Sequence, residues 1–172
     1  MLHILGSLLI LGACTMAGFY QAAIIAKRPR QIRELMLHIQ RLETEINYGM
    51  TPMPEAIQRI VQTSKPPVGD IFKAISDSLS SPDCPSLKTA WERGVRQVWG
   101  VTTMRLPERE AFERLGQTLG ISHRADQMKY LQLAIQQLAA EEDLARAEQQ
   151  KYEKMWKSLG VLTGILLVIL FV

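Results

Sequence analysis

Apolar and polar positions divide the chain into three stretches. Residues 1–26 and 159–172 contain no Asp, Glu, Lys or Arg, so every charged side chain falls between 27 and 158. Within that middle stretch the apolar residues recur at helical spacing. Ile32, Leu35, Ile39, Leu42 and Ile46 alternate steps of three and four, which draws one narrow stripe along a helix over 30–49. The same period puts Met53, Ala56, Ile57, Ile60 and Val61 on one face of 53–63, and Val68, Ile71, Phe72, Ile75 and Leu79 on one face of 68–79. It continues with Leu87, Trp91, Val95, Val98 and Trp99 in 86–101, then Phe112, Leu115 and Leu119 in 108–119. Nothing alternates with period two for long enough to make a strand. The pattern predicts an all-α protein.

Proline and glycine supply the punctuation. Pro52 and Pro54, Pro66 and Pro67, Pro82 and Pro85, and Pro107 mark turns between the periodic segments. Tyr48 and Gly49 end the helix over 30–49, and Thr51 is the candidate N-cap of the next, with Glu55 near its first turn. Gly116 and Gly120 mark the end of the 108–119 helix, and Ser122 is the candidate cap of the last one. No Gly or Pro follows Ser122 until Gly160, so Met128, Leu131, Ile135, Leu138 and Ala145 form a heptad-like stripe on one long helix, interrupted by Glu142. Residues 27–157 therefore read as a helical bundle of five short helices and one long one, about six in all.

The two uncharged ends read as membrane segments. Leu2 to Ala26 would make a helix of roughly 37 Å, long enough for ~30 Å of hydrocarbon with some tilt. Leu11-Gly12-Ala13-Cys14 resembles a lipobox, which keeps an exported lipoprotein modified at Cys14 as an alternative. Against it, the start Met1-Leu2-His3 lacks a basic n-region, and the apolar run continues for twelve residues past Cys14. Lys27, Arg28, Arg30 and Arg33 follow with no acid before Glu34, and the positive-inside rule then puts the middle of the chain in the cytoplasm. Residues 158–172 form a second, shorter apolar segment, preceded by Lys151, Lys154 and Lys157 and by Tyr152 and Trp156 at the depth of an aromatic belt. The expected organisation is a transmembrane helix at 2–26, a cytoplasmic bundle at 27–157 and a C-terminal membrane segment at 158–172.

Charge and chemistry change this picture little. Lys and Arg number 20 against 17 Asp and Glu, a net charge of +3 that is too mild to imply nucleic acid. Trp91 and Trp99 flank Arg93 and Arg96, but large apolar side chains at helical spacing belong to a core. The two cysteines, Cys14 and Cys84, sit in settings too different for a structural disulfide. None of His3, His38 and His123 has a second His or Cys three or four residues away, so metal-ligand spacing is absent, and His38 reads as a surface or boundary residue. There is no Gly-rich phosphate loop, and Ser122-His123 has no orienting third group. Glu43 and Glu45 point to different sides of a helix, and Glu141-Glu142-Asp143 reads as a solvated face. No cofactor, metal site or catalytic centre is expected, and function is left to interaction.

Two segments carry a family resemblance: Arg28-Pro29-Arg30-Gln31-Ile32-Arg33-Glu34-Leu35, and Leu42-Glu43-Thr44-Glu45-Ile46-Asn47-Tyr48-Gly49 with Thr51-Pro52-Met53. Together with the initial apolar helix and the long final helix entering an apolar tail, they resemble the stage III sporulation protein AB family of endospore-forming bacteria. The resemblance implies a non-enzymatic subunit of the sporulation complex joining mother cell and forespore. It implies a soluble domain similar to the cytoplasmic domain of type II secretion and type IV pilus platform proteins. The implied partners are a stage III sporulation protein AA-like cytoplasmic ATPase, other membrane proteins of the complex, the bilayer and a further copy of the chain. The implied place is the mother-cell membrane facing the forespore. Platform proteins carry two copies of the domain and three membrane helices, against one copy and two apolar ends here. An unrelated membrane-anchored adaptor is the remaining alternative. Arg28, Arg30, Arg33, Glu43 and Glu45 are the candidate partner contacts; Pro29, Tyr48, Thr51 and Pro52 are the candidate shaping residues.

Overall fold

Among the described residues the chain forms six α-helices and one 3-10 turn, with no strand. The structure is a computed structural model that describes residues 2–49, 51–84, 86–119 and 124–171; inside the helices, the side chains of 2–12, 14, 15, 18, 124, 125, 157, 160, 161, 163–165 and 167–171 fall outside the description. The helices are α1 (Leu2–Asn47), α2 (Met53–Thr63), α3 (Val68–Leu79), α4 (Leu87–Val98), α5 (Leu106–Leu119) and α6 (Arg124–Phe171), with the 3-10 turn at Trp99–Val101. The chain divides into two compact units: Pro29–Asp143, and Met1–Arg28 together with Leu144–Val172.

The membrane segments expected at 2–26 and 158–172 lie mostly on side chains outside the described residues, as do the lipobox residue Cys14, Gly120 and the expected cap at Ser122. Among the described residues no helix is long and apolar enough to cross a membrane. Helix α1 runs through Pro29 without a break. The proline ring deprives the Ile25 carbonyl of its helical donor, a local weakness at the boundary between the two units.

Within Pro29–Asp143 the predicted stripes form the core. Ile32, Leu35, Ile39, Leu42 and Ile46 of α1 are all buried, as are Ala56, Ile57 and Ile60 of α2 and Val68, Ile71, Phe72 and Ile75 of α3. Trp91, Val95 and Trp99 are buried too, so the two tryptophans are core residues as expected. The aromatic centre is tightly connected. The Trp91 ring lies 4.7 Å from that of Phe112, and Phe72 meets Phe112 edge-on at 5.6 Å. The Trp91 indole donates to the Phe112 carbonyl oxygen at 2.9 Å, which satisfies the one polar atom this burial would otherwise strand.

Glycine makes this packing sterically feasible at two places. A Cβ on Gly116 would stand 2.2 Å from the Trp91 ring, and one on Gly94 would stand 2.7 Å from the Ile75 backbone nitrogen. Gly116 therefore does not mark a helix end, as its composition suggested; it lies inside α5, where the missing side chain admits the indole.

The helix starts are set by different means. Pro52 is the N-cap of α2 and Pro54 lies in its first turn, where a missing N–H costs nothing. Thr51, expected as the cap, instead donates its hydroxyl to Glu45 Oε2 at 3.0 Å. Ser86 caps α4 by accepting the Thr89 N–H at 3.2 Å. Ahead of α5, the fully buried Glu108 accepts the Arg105 N–H at 2.9 Å.

Candidate functional site

The two motif segments lie on α1 and at its corner with α2, and most of their polar side chains are bonded within their own unit. Arg28 is only 7% exposed and its Nη1 donates to Glu148 Oε2 at 3.0 Å. Gln31 is buried, with its Oε1 accepting both the N–H and the hydroxyl of Thr103, at 2.7 and 2.9 Å. Arg33 donates from Nε and Nη2 to Glu142 Oε1, at 2.9 and 2.7 Å. Glu142 is accordingly buried rather than part of a solvated acidic face. Its carboxylate reaches inward because a charge-assisted pair is waiting for it. Glu43 accepts from the Gln132 amide at 3.1 Å.

The α1–α2 corner is bound through Glu45. One oxygen, Oε2, accepts from the Thr51 hydroxyl and from Arg59 Nη1 at 2.8 Å, while Arg59 Nη2 binds Glu55 Oε1 at 2.8 Å. These two carboxylates raise the Arg59 pKa, the Glu55 hydrogen bond most. The Thr51 N–H also donates to the Glu45 carbonyl at 3.3 Å. Pro52, Thr51 and Glu45 therefore shape the joint. Tyr48 does not pack into it: its N–H closes the last turn onto the Thr44 carbonyl at 2.9 Å, and its side chain is 81% exposed.

His38 departs furthest from its sequence reading. Expected at the surface or boundary, it is 4% exposed and meets Phe72 edge-on at 5.3 Å. Neither ring nitrogen has a hydrogen-bond partner, and Nε2 is 3.8 Å from Glu34 Oε1. Burial first, and then the nearby Arg41 charge, lower its pKa from 6.5 to about 4. The imidazole is a neutral filler of the aromatic core at neutral pH.

Opposite the buried stripe, α1 presents Arg30, Arg33, Leu37, Arg41 and Thr44, with Tyr48 just past its end, all exposed. Arg41 Nη1 donates to the Thr63 hydroxyl of α2 at 2.7 Å, across a groove of about 360 Å³. Of the five candidate contacts, Arg28, Arg33, Glu43 and Glu45 hold internal bonds, and Arg30 is exposed. Leu37 and Arg41 were missed. Their signal was in the sequence, because they continue the polar row from Arg33 at steps of four, on the face opposite the apolar stripe. Among the described residues no group of His, Cys, Asp and Glu is arranged to hold a metal ion. The arrangement offers guanidinium groups, an exposed phenol and a leucine, which suits protein contact.

Comparison with known proteins agrees with the motif reading. The family model described as stage III sporulation protein AB matches residues 3–172. The stage III sporulation protein AB of Bacillus subtilis (strain 168) is 44% identical over 170 residues, covering 99% of each chain. A solved structure of a stage III sporulation protein AB superposes with a TM-score of 0.68 at 41% identity, over 73% of this chain and 98% of that one. A helical bundle entered by the Arg28–Leu35 segment and turned at Glu45–Pro52, matched from end to end by family and relative, makes this chain a member of the stage III sporulation protein AB family.

Proposed function

We propose that this chain is a non-enzymatic platform subunit of a sporulation secretion-like channel between mother cell and forespore. Its helical bundle docks a stage III sporulation protein AA-like cytoplasmic ATPase, and the two helix ends hold it in the mother-cell membrane beside other proteins of the complex. A self-associated assembly of the single-copy domain would take the place of the double-domain platform.

The observation that carries the reading lies in the second unit. There, Met16, Phe19 and Tyr20 of α1 and Leu159, Leu162 and Leu166 of α6 are 45–75% exposed. Large apolar side chains facing outward on two helix ends suit hydrocarbon rather than water. Tyr152 and Trp156 are part-exposed on α6, and Lys151 lies 5.5 Å from the Tyr152 ring centre, a pairing that suits the headgroup layer. The bundle itself commits its buried carboxylates to pairs and caps, as a passive coupling element requires.

The test is binding of the purified ATPase to the full chain in lipid nanodiscs, followed by co-sedimentation. Saturable binding that leaves empty nanodiscs unoccupied supports the platform role. Absence of binding, with the chain folded and inserted, rejects it in favour of an adaptor for another partner.

A further inference from the structure

Charge is divided unequally between the two units. Residues 1–28 and 144–172, the helix-end unit, carry six Lys and Arg against two Glu, whereas residues 29–143 carry fourteen Lys and Arg against fifteen Asp and Glu. The positive excess of the chain therefore belongs to the helix-end unit. One pair of its charges cancels internally, where Arg28 Nη1 meets Glu148 Oε2 at 3.0 Å. Glu153, the remaining carboxylate of that unit, accepts from the Gln149 amide at 3.0 Å. Lys27, Lys151 and Lys154 are exposed and hold no ion pair among the described residues. Cations outnumber acids here, and the ligand that would balance them is an anion.

Position along the two helices says which anion. Counted from the Arg28–Glu148 pair toward the chain ends, Tyr20 on α1 and Trp156 on α6 each lie eight residues out, about 12 Å along a helix. Both rings are exposed, at 68% and 37%. Lys27 lies one residue out on α1, and Lys151 and Lys154 lie three and six residues out on α6, so all three fall between the pair and the rings. Beyond the rings come the exposed Met16, Leu159, Leu162 and Leu166, and past Lys157 there is no further charge. Ammonium, aromatic ring and aliphatic side chain thus follow one another as phosphate, glycerol and tail do in a phospholipid. We propose that Lys27, Lys151 and Lys154 form a docking surface for the phosphate groups of anionic phospholipids, with Tyr20 and Trp156 at the glycerol level beneath them. The surface deepens the membrane seat proposed above and rests on it. A zwitterionic headgroup brings its own cation against the lysines, so the surface selects lipids of net negative charge. An acidic protein would leave the rings and leucines that continue the row unexplained.

The test reconstitutes the full chain in vesicles containing either brominated phosphatidylglycerol or brominated phosphatidylcholine and follows tryptophan fluorescence. Trp91 and Trp99 are buried in the bundle, so quenching by the brominated tails reports Trp156. The expected result is a preference of at least about fivefold for phosphatidylglycerol, the contribution of a single lysine at an anionic surface, and it fades at high salt. Joint replacement by Lys27→Gln, Lys151→Gln and Lys154→Gln brings the ratio close to one, whereas the corresponding Lys→Arg replacements keep it. Circular dichroism melts of both variants establish that the chain remains folded. Equal quenching by the two lipids, or a preference that survives the three Gln replacements, overturns the surface and leaves the membrane seat standing. Quenching by neither lipid overturns the surface and the membrane seat together. Equal quenching accompanied by lysine-dependent binding of soluble polyglutamate assigns the lysines to an acidic protein and overturns the lipid surface.

Discussion

In the helical bundle Phe72, Trp91 and Phe112 are fully buried, whereas in the unit built from the two helix ends Met16, Tyr20, Leu162 and Leu166 stand 62–75% exposed. Polar groups are buried in both units, and in the helix-end unit Arg28 pairs with Glu148. The bundle takes Gln31, His38, Glu108 and Glu142 inside and bonds all but the histidine. A unit that hides its aromatics is stabilised by water exclusion, and one that exposes large apolar side chains draws less from it. The contrast divides the chain at Arg28–Pro29 on α1 and Asp143–Leu144 on α6 into a stretch that buries its large apolar side chains and one that exposes several of them.

The largest way to sharpen the contrast is to cut the same residue type in both units. Trp91→Ala removes the centre of the aromatic cluster and is expected to cost about 4 kcal/mol of unfolding free energy, by denaturant titration of the full chain in detergent. Trp156→Ala, at 37% exposure in the other unit, is expected to change the same transition by less than about 0.5 kcal/mol. Equal losses would break the comparison.

Next comes pH. The folded pKa of His38, about 4, lies below the 6.5 of an unfolded imidazole. The unfolded chain therefore takes up a proton that the native core refuses, and the native state loses stability as pH falls from 6.5 towards 4. The contribution is intact above pH 6.5, and its loss amounts to as much as about 3 kcal/mol at pH 4. His38→Leu should flatten this part of the profile in melts at pH 4.5 and 7, since nothing then takes a proton at that position. A profile unchanged by the substitution would show that another group sets the acid limit.

Smaller effects follow at the charged joints. Glu142→Gln leaves Arg33 unmatched at a site that is still half open to water, with an expected loss of about 1 kcal/mol. The loss should shrink for the wild-type comparison at high salt. Thr51→Val removes only the hydroxyl bond to Glu45 and should cost about 0.5 kcal/mol, the least of the series. A loss as large as that of Trp91→Ala would mean that the corner, rather than the aromatic centre, holds the bundle.

How much could be read beforehand depended on whether a residue's role was set within its own helix. The stripe Ile32–Ile46 and the aromatic residues of α3 to α5 were legible, because burial follows helical period. Glu142 was not legible: its burial depends on Arg33, 109 residues away, and no local pattern announces a long-range pair. His38 was missed because it lies at the edge of the apolar stripe, and Phe72 decides on which side of the boundary it falls. Gly116 was read as punctuation because glycine usually serves that way, whereas here a neighbouring helix places an indole where a side chain would be. At the candidate site the basic segment was found, but the division into bonded Arg28 and Arg33 and unmatched Arg30 and Arg41 needed the tertiary partners. Within the two motif segments, Arg28, Gln31, Arg33, Glu43 and Glu45 each hold a hydrogen bond inside the fold.

The proposed function puts the bundle in the cytoplasm and both helix ends in the membrane. Cys84, a free and part-exposed thiol in the loop between α3 and α4, gives direct access to it. With Cys14→Ser making it the sole thiol, wall-stripped sporulating cells are treated with a membrane-impermeant maleimide before and after permeabilisation. The account predicts labelling of Cys84 only after permeabilisation. Labelling in intact cells would contradict it and would put the bundle on the outer side of the membrane, out of reach of any cytoplasmic ATPase.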